Sequence, residues 1–327
     1  MTRHPAPRYC GMIALSVAFA LVGTAPATAV TSGRARADVR LAASAARRAP
    51  RVTCVASDHT YDNLAARMAR DIDAKLAGRS SSVGLKEIDS KTGVTCTYHP
   101  TYHFYAASVI KATILGALLR MAQEQGRHLT ATEKRRAWLM ITQSSNDAAT
   151  ALWNEVGMRR MQHFLTLAKM TQTELAHAWG LSLLTARDEI LLLTMLSSPN
   201  RILNLDSRVY AQYLMSHVIS SQRWGVPAGA PESVKVHLKN GWLPYPVSSN
   251  WEINSVGFFI ARKPYRNYEI AMLTHENPSM AYGIETIEDV AQAIHRDLNP
   301  GVQDVIPKSV PNPTWGIPDE PIPAKRH

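Results

Sequence analysis

Residues 108–126 read SVIKATILGALLRMAQEQG and form the element around which the fold can be built. Apolar residues recur at helical spacing as far as Gly126, which predicts a helix that begins at Ser108 and ends near Gln125. Ser108 and Lys111 are three residues apart, so both side chains lie on one helix face. A lysine in that position can take the hydroxyl proton and make the serine a nucleophile. The pair alone is a weak signal, because a chain of this length contains roughly one such spacing by chance.

Two later segments carry the polar groups that a nucleophilic serine needs. Residues 144–146, SSN, lie at the junction of two predicted helices, where a hydroxyl can relay a proton and an amide can hold a lysine. Residues 239–241, KNG, are placed at the end of the strand-like run 234–238. A cation on an edge strand can bind a substrate carboxylate, and glycine lets the substrate lie against the strand.

The whole chain divides into a first helix, an early hairpin, a block of helices, three late strands and a last helix. Hydrophobic periodicity predicts helices at 59–77, 108–125, 131–142, 146–155, 159–168, 190–195, 207–219 and 284–298. It predicts strands at 82–89, 94–98, 234–238, 251–261 and 268–274. This order indicates an α+β fold in which early and late strands share one antiparallel sheet and the helical block forms its own lobe.

In this order the three motifs resemble those of the penicillin-recognising serine enzymes, which contain S-x-x-K, S-D-N and K-T-G. The flanks are also similar to those of class A β-lactamases and D,D-peptidases, with paired alanines before the first motif and after the second. The resemblance covers roughly residues 55–298. It implies an antiparallel five-stranded sheet flanked by helices, an all-helical lobe, and hydrolysis of a β-lactam or a D-Ala-D-Ala-type peptide.

The resemblance also implies a role for each motif residue. Ser108 would be acylated, Lys111 would be its base, and Ser144 would pass a proton to the leaving nitrogen. Asn146 would anchor both the lysine and the substrate. The predicted contacts to the substrate carboxylate and the oxyanion come from Lys239, Asn240, Gly241 and Trp242.

The chain departs from the class A pattern in two places. Class A enzymes activate the deacylating water with a glutamate in an E-x-x-L-N run, and residues 169–184 contain no such run. Glu174 is the only carboxylate in this interval, so it is the catalytic candidate, with a solvated surface glutamate as the alternative. Asn240 stands where the family has Thr or Ser, so an amide would replace a hydroxyl at the substrate carboxylate.

Three hypotheses for the function follow. The first is a β-lactam hydrolase that acts through an acyl-enzyme on Ser108. The second is a D,D-peptidase-like enzyme of cell-wall peptides, which acylates but releases lactams slowly because the deacylating carboxylate is missing. The third is a degenerate, non-catalytic wall-binding module. The intact first and second motifs argue against the third hypothesis, whereas Asn240 and the missing glutamate speak for it.

The two ends of the chain predict export and a single folded domain. Residues 1–29 begin with positive charge, continue with an apolar run and end in Ala-Thr-Ala, which is typical of a signal peptide cleaved near Ala29. We therefore expect a secreted protein. Residues 30–52 form a basic, Ala-rich linker, residues 53–299 the hydrolase-like domain, and residues 300–327 a Pro-rich extended tail.

The net charge of +10 is concentrated in the first 51 residues and leaves about +3 for the remainder. This excess lies on the linker rather than on a folded face, which argues against nucleic-acid binding. The linker could contact an anionic cell wall or act only as a spacer. We expect the protein to be a monomer.

Two cysteines, Cys54 and Cys96, remain after signal-peptide cleavage. Outside the cytoplasm two thiols within reach usually oxidise, so they form either a disulfide or two separate buried thiols. No histidine pair flanks them, which disfavours a zinc site. We expect no metal and no cofactor.

Overall fold

The computed structural model describes residues 51–244, 250–262 and 265–310. Its strands are β1 (Thr53–Ala56), β2 (Ser82–Asp89), β3 (Val94–Tyr98), β4 (Phe104–Tyr105), β5 (Leu183–Leu184), β6 (Lys235–Pro244), β7 (Trp251–Arg262) and β8 (Tyr265–Asn277). Its helices are α1 (Asp62–Leu76), α2 (Ile110–Glu124), α3 (Ala131–Thr142), α4 (Asn146–Ala168), α5 (Ala186–Ser197), α6 (Leu205–Ser216) and α7 (Met280–Leu298). None of these helices is long and apolar enough to cross a membrane. The predicted signal peptide and nearly all of the predicted linker lie outside the described residues.

The main sheet is antiparallel, with the strand order β1-β3-β2-β8-β7-β6. The five expected strands are present, and β1 is an additional strand, so the sheet has six strands rather than five. A four-residue strand contains too few alternating positions to be recognised from the sequence. The register places Cys54 opposite Cys96, and the two are joined by a disulfide. A bridge, rather than two separate thiols, therefore ties β1 to its neighbour.

Helices cover both faces of the sheet. One face packs against α1 and α7 through buried apolar side chains such as Met68, Ile72 and Ile294. The other face packs against the helical block α2–α6, and twelve of the fifteen residues of α2 are buried. Because β7 and β8 are covered on both sides, their sequences are almost continuously buried rather than alternating. This arrangement confirms the α+β class and the separate helical lobe.

Local capping interactions set the helix boundaries in the lobe. Thr130 and Glu133 form a reciprocal capping box at the start of α3, and Thr185 caps α5. The two helices predicted at 146–155 and 159–168 are both present within α4, and Gly157, with a non-helical φ of 75° and ψ of 151°, separates them. Glycine adopts this conformation without the steric penalty of a side chain, so α4 consists of two helical segments joined by a kink at this residue.

The late strands are longer than the sequence predicts. β6 runs to Pro244, so residues 239–241 lie inside the strand and not at its end. The expected edge position is confirmed, because β6 pairs only with β7 in the described sheet. The edge of the 239–241 segment that does not pair with β7 therefore faces the helical lobe.

The first residues of the predicted tail lie along the domain. Ile306 donates its N–H to the carbonyl of Ala230 at 2.8 Å and accepts the N–H of Gly229 at 2.8 Å. Ser309 donates its hydroxyl to the carboxylate of Glu288 in α7 at 2.6 Å. Ordered contacts thus continue beyond the expected domain end at residue 299, and residues 311–327 lie outside the described residues.

Candidate active site

Ser108 lies where the chain passes from β4 into α2. It belongs to a single 3-10 turn, Ala107–Val109, and α2 begins at Ile110, slightly later than predicted. Ala107 has a φ of 45°, a strained value for a residue with a side chain. Gly241 in β6 packs against this turn: a Cβ at that position would lie 2.8 Å from the backbone nitrogen of Ser108. Glycine at 241 is therefore needed for the turn to approach the strand.

Lys111 is completely buried beneath the Ser108 hydroxyl. Its Nζ lies 2.9 Å from Ser108 Oγ, 2.6 Å from the carbonyl oxygen of Ser144 and 2.7 Å from Oδ1 of Asn146. The last two partners only accept hydrogen bonds, so they take two of the N–H groups. The remaining direction faces Ser108. A neutral Lys111 could thus accept the hydroxyl proton of Ser108 and keep its other hydrogen bonds.

Ser144 stands between two lysines. Its Oγ lies 3.2 Å from Lys111 Nζ and 3.0 Å from Lys239 Nζ. Lys239 donates to it, and Lys111 can donate to it when that lysine is protonated. Its own hydroxyl proton is then available to a third group. Ser144 has a φ of 59°, so it is a second strained residue in the site.

Lys239 reaches the cluster from the interior of β6. Besides Ser144, its Nζ donates to the carbonyl oxygen of Asn240 at 2.7 Å. The side chain is fully buried, and burial lowers the pKa of Lys239 to about 7 because desolvation disfavours the ammonium. This lysine can therefore change its charge near neutral pH.

Asn240 does not present its amide as the sequence predicts. Its Nδ2 donates to the carbonyl oxygens of Gln222 and Trp224, both at 2.9 Å. The side chain points to the opposite face of the sheet from Lys239 and Gly241, because side chains alternate along a strand. Both N–H groups of the amide donate to backbone carbonyls inside the protein. The prediction that this amide contacts a substrate carboxylate is therefore wrong.

Trp242 follows on the same strand. Backbone N–H and C=O groups of alternate residues point to the same strand edge, so those of 240 and 242 share a direction. The carbonyl oxygen of Asn240 faces Lys239 Nζ, and the N–H of Trp242 therefore points toward the cluster. Together with the N–H of Ser108, it could form the predicted oxyanion hole.

Glu174 is not brought into this cluster. Its side chain is 68% exposed, and its carboxylate lies 3.7 Å from Nε2 of His103. Its backbone pairs with Leu183, next to the small sheet of β4 and β5. The structure gives Glu174 the surroundings of a solvated surface residue, which was the alternative left open by the sequence.

The structure reveals one neighbour of Lys111 that the motifs do not identify. The ring of Trp179 lies over the lysine, with Nζ 4.8 Å from the ring centroid. The sequence indicates Glu174 as the candidate base in this segment and indicates no role for Trp179. A Trp-Gly pair in a connection otherwise lacking aromatic residues was the available signal.

Four of the predicted residues, Ser108, Lys111, Ser144 and Asn146, are thus joined by hydrogen bonds, and Lys239 joins them through Ser144. Gly241 lies against the nucleophile turn. Within the described ranges, no group of three or more His, Cys, Asp or Glu side chains is placed to hold a metal ion.

Solved structures with the same fold include β-lactamases and PBP-A. A class A β-lactamase from Bacteroides cellulosilyticus has 16% identity and a TM-score of 0.63, over 72% of this chain and 98% of that one. A β-lactamase from Sphaerobacter thermophilus has 19% identity and a TM-score of 0.59, over 71% and 96%. An acyl-enzyme complex of a PBP-A mutant with penicillin G has 18% identity and a TM-score of 0.61, over 72% and 96%.

Comparison by sequence gives a family assignment. No curated protein matches the chain. The sequence model of the β-lactamase enzyme family matches residues 130–298, which is more than half of the chain. The match includes Ser144, Asn146 and Lys239 and begins after Ser108 and Lys111. By this match, and with a fold shared with solved β-lactamases, the chain belongs to the β-lactamase enzyme family.

Proposed function

We propose that this protein is a secreted serine hydrolase that cleaves a β-lactam or a related peptide amide through an acyl-enzyme on Ser108. The observation that carries the proposal is the 2.9 Å contact between Lys111 Nζ and Ser108 Oγ. The same amine donates to two acceptors, Oδ1 of Asn146 at the start of α4 and the carbonyl oxygen of Ser144 two residues earlier. A nucleophile and a base within hydrogen-bond reach, with a third group orienting the base, are the arrangement that covalent catalysis requires.

The acylation step follows from the same contacts. Ser108 Oγ attacks the carbonyl carbon while its proton moves to Lys111 Nζ, and the oxyanion accepts the N–H groups of Ser108 and Trp242. The C–N bond then breaks, and the leaving nitrogen takes the proton of Ser144 Oγ. Lys111 returns a proton to Ser144, since the two lie 3.2 Å apart. Serine is left as an ester and the lysine as a neutral amine.

The substrate class rests on Lys239 and on the relatives. One structural neighbour is an acyl-enzyme with penicillin G, a ligand that bears a carboxylate. The buried Lys239 ammonium is the cation in the cluster that could bind such a carboxylate. Cleavage of the signal peptide near Ala29 would release the enzyme outside the cell, where these substrates occur.

A slowly deacylating, D,D-peptidase-like enzyme is the second candidate. It is favoured by the exposure of Glu174, because rapid release of a lactam product needs a base that activates water at the ester. Efficient β-lactamase turnover would require the loop around Glu174 to fold inward. The ordered contacts among Ser108, Lys111, Ser144 and Lys239 argue against a non-catalytic module.

The direct test is covalent labelling of the secreted protein with a labelled penicillin. We expect one adduct per chain, mapped to Ser108 by peptide mass spectrometry, and none in Ser108→Ala. Ser220→Ala changes an exposed serine and should label like the wild type. Absence of any adduct on the folded wild type would support the non-catalytic module instead. A chromogenic cephalosporin in the same assay separates rapid turnover from a stable adduct.

Glu174→Gln tests whether this glutamate activates water. Because its carboxylate is exposed and lies beside His103, we expect the lifetime of the acyl-enzyme to stay within about twofold of the wild type. Glu232→Gln, another exposed position, serves as the matched control. A trapped acyl-enzyme in Glu174→Gln alone would show that Glu174 reaches the ester and that the first hypothesis holds.

The pH dependence of acylation tests the role of Lys239. Its pKa is about 7, so it is charged below that pH and neutral above it. For a penicillin with a carboxylate, we expect kcat/KM to fall as the pH rises through about 7. Arginine keeps its charge to high pH, so kcat/KM of Lys239→Arg should not fall over this pH range, although the variant is expected to react more slowly than the wild type. With a neutral activated ester as substrate, kcat/KM should not fall through about pH 7 in either protein, because there is no carboxylate for Lys239 to bind. A wild-type penicillin profile that is flat from about pH 6 to about pH 9 would contradict this role.

A further inference from the structure

The connection between α4 and α5 covers the base lysine with an aromatic ring. Trp179 begins a 3-10 turn in this connection, and its ring centroid is 4.8 Å from Lys111 Nζ. This is within the range of a cation–π contact. The carboxylate of the same connection, Glu174, is exposed to solvent. An indole rather than a carboxylate therefore faces the reacting groups from this side.

Two contacts fix the connection against the nucleophile turn. The N–H of Ala106 donates to the carbonyl oxygen of Ser182 at 2.8 Å. Gly180 lies beside Ala107, with the site of its absent Cβ 3.9 Å from the Ala107 carbonyl oxygen. The backbone that follows Trp179 thus lies against the backbone that precedes Ser108.

A third contact fixes the ring itself. The indole Nε1 of Trp179 donates to Thr150 Oγ1 at 3.1 Å. Thr150 is four residues after Asn146, so the two side chains lie on one face of α4. The same helix face therefore holds Lys111 through Asn146 and the indole through Thr150.

Because Lys111 is buried, the Trp179 ring helps to determine whether water can reach the Lys111 amine. The lysine is fully buried, so a water molecule that reaches Nζ must displace one of its neighbours. Ser108, Ser144 and Asn146 are the proposed reaction partners, and Trp179 is the neighbour that belongs to the connection. On the basis of the proposed function, we infer that Trp179 is a positioning residue. It aligns Lys111 with Ser108 for acylation and keeps water from Lys111 in the acyl-enzyme, which makes that intermediate long-lived.

The protected step is hydrolysis of the ester on Ser108. A water oxygen would attack the ester carbonyl carbon while its proton moves to the neutral Nζ of Lys111. The bond between the carbonyl carbon and Ser108 Oγ would then break, and Oγ would regain the proton from Lys111. Removal of the ring opens Nζ to water, so this step should accelerate. Removal also frees the lysine to move, so acylation should slow.

The test measures formation and loss of the penicilloyl adduct separately, by mass spectrometry of the full chain. For Trp179→Ala we expect acylation to slow about tenfold and hydrolysis of the adduct to accelerate about tenfold. Trp179→Phe retains a ring and should stay within about threefold in both rates. Thr150→Val removes the hydrogen bond to the indole and should change both rates in the same directions as Trp179→Ala, but less. A purely structural role would slow both steps, so a slower or unchanged hydrolysis in folded Trp179→Ala would overturn the inference.

A second reagent separates this inference from the substrate class. Phenylmethanesulfonyl fluoride reacts with activated serines and needs no lactam recognition. If penicillin fails on the wild type but the sulfonyl fluoride labels Ser108 about tenfold more slowly in Trp179→Ala, the positioning role stands and the proposed substrate is wrong. If the sulfonyl fluoride labels Ser108 equally in both proteins, the positioning role is wrong. If neither reagent labels Ser108, both proposals fall.

Discussion

The buried amine of Lys111 is the contact on which the site depends. It joins the nucleophile turn to residues 144–146, before and at the start of α4. The Ser144 hydroxyl extends this connection to Lys239 in the sheet. Three segments that are distant in sequence meet at these two amines. The hydrogen bonds satisfy polar groups that would otherwise be costly to bury, and they bring the sheet and the helical lobe to one place.

The same cluster is unfavourable for folding. Burying an ammonium costs free energy, and the lowered pKa of Lys239 is the sign of that cost. Two residues with side chains, Ala107 and Ser144, adopt left-handed backbone angles, each at a cost of roughly 1–3 kcal/mol. The apolar packing on both faces of the sheet offsets these terms. Strain and buried charge concentrated where a nucleophile meets its base are typical of sites kept for chemistry rather than for stability.

Much of this arrangement could be predicted from the sequence, because it depends on local patterns. The helix that carries Lys111, the caps at Thr130 and Thr185 and the order of the motifs all follow from short-range rules. The direction of Asn240 could not be predicted, since it depends on which face of β6 each residue occupies and the strand was expected to end before it. The Trp-Gly pair singles out Trp179 in the sequence, but its contact with Lys111 could not be predicted, because that distance is set by how the lobe packs and not by sequence spacing. The position of Glu174 depends in the same way on the path of a connection without regular patterning.

The proposed reaction depends above all on the activation of Ser108 by Lys111. The most direct measurement is the second-order rate constant for acylation by penicillin in Lys111→Met, compared with the wild type. Methionine has a similar reach and no proton-accepting amine, but it leaves the buried acceptors of Ser144 and Asn146 without this donor. The thermal midpoint is therefore measured beside the rate, to show that the variant is folded. We expect the rate constant to fall by at least about a thousandfold in a folded Lys111→Met protein. A rate constant within about tenfold of the wild type, with the adduct still on Ser108, would contradict the activation of Ser108 by Lys111.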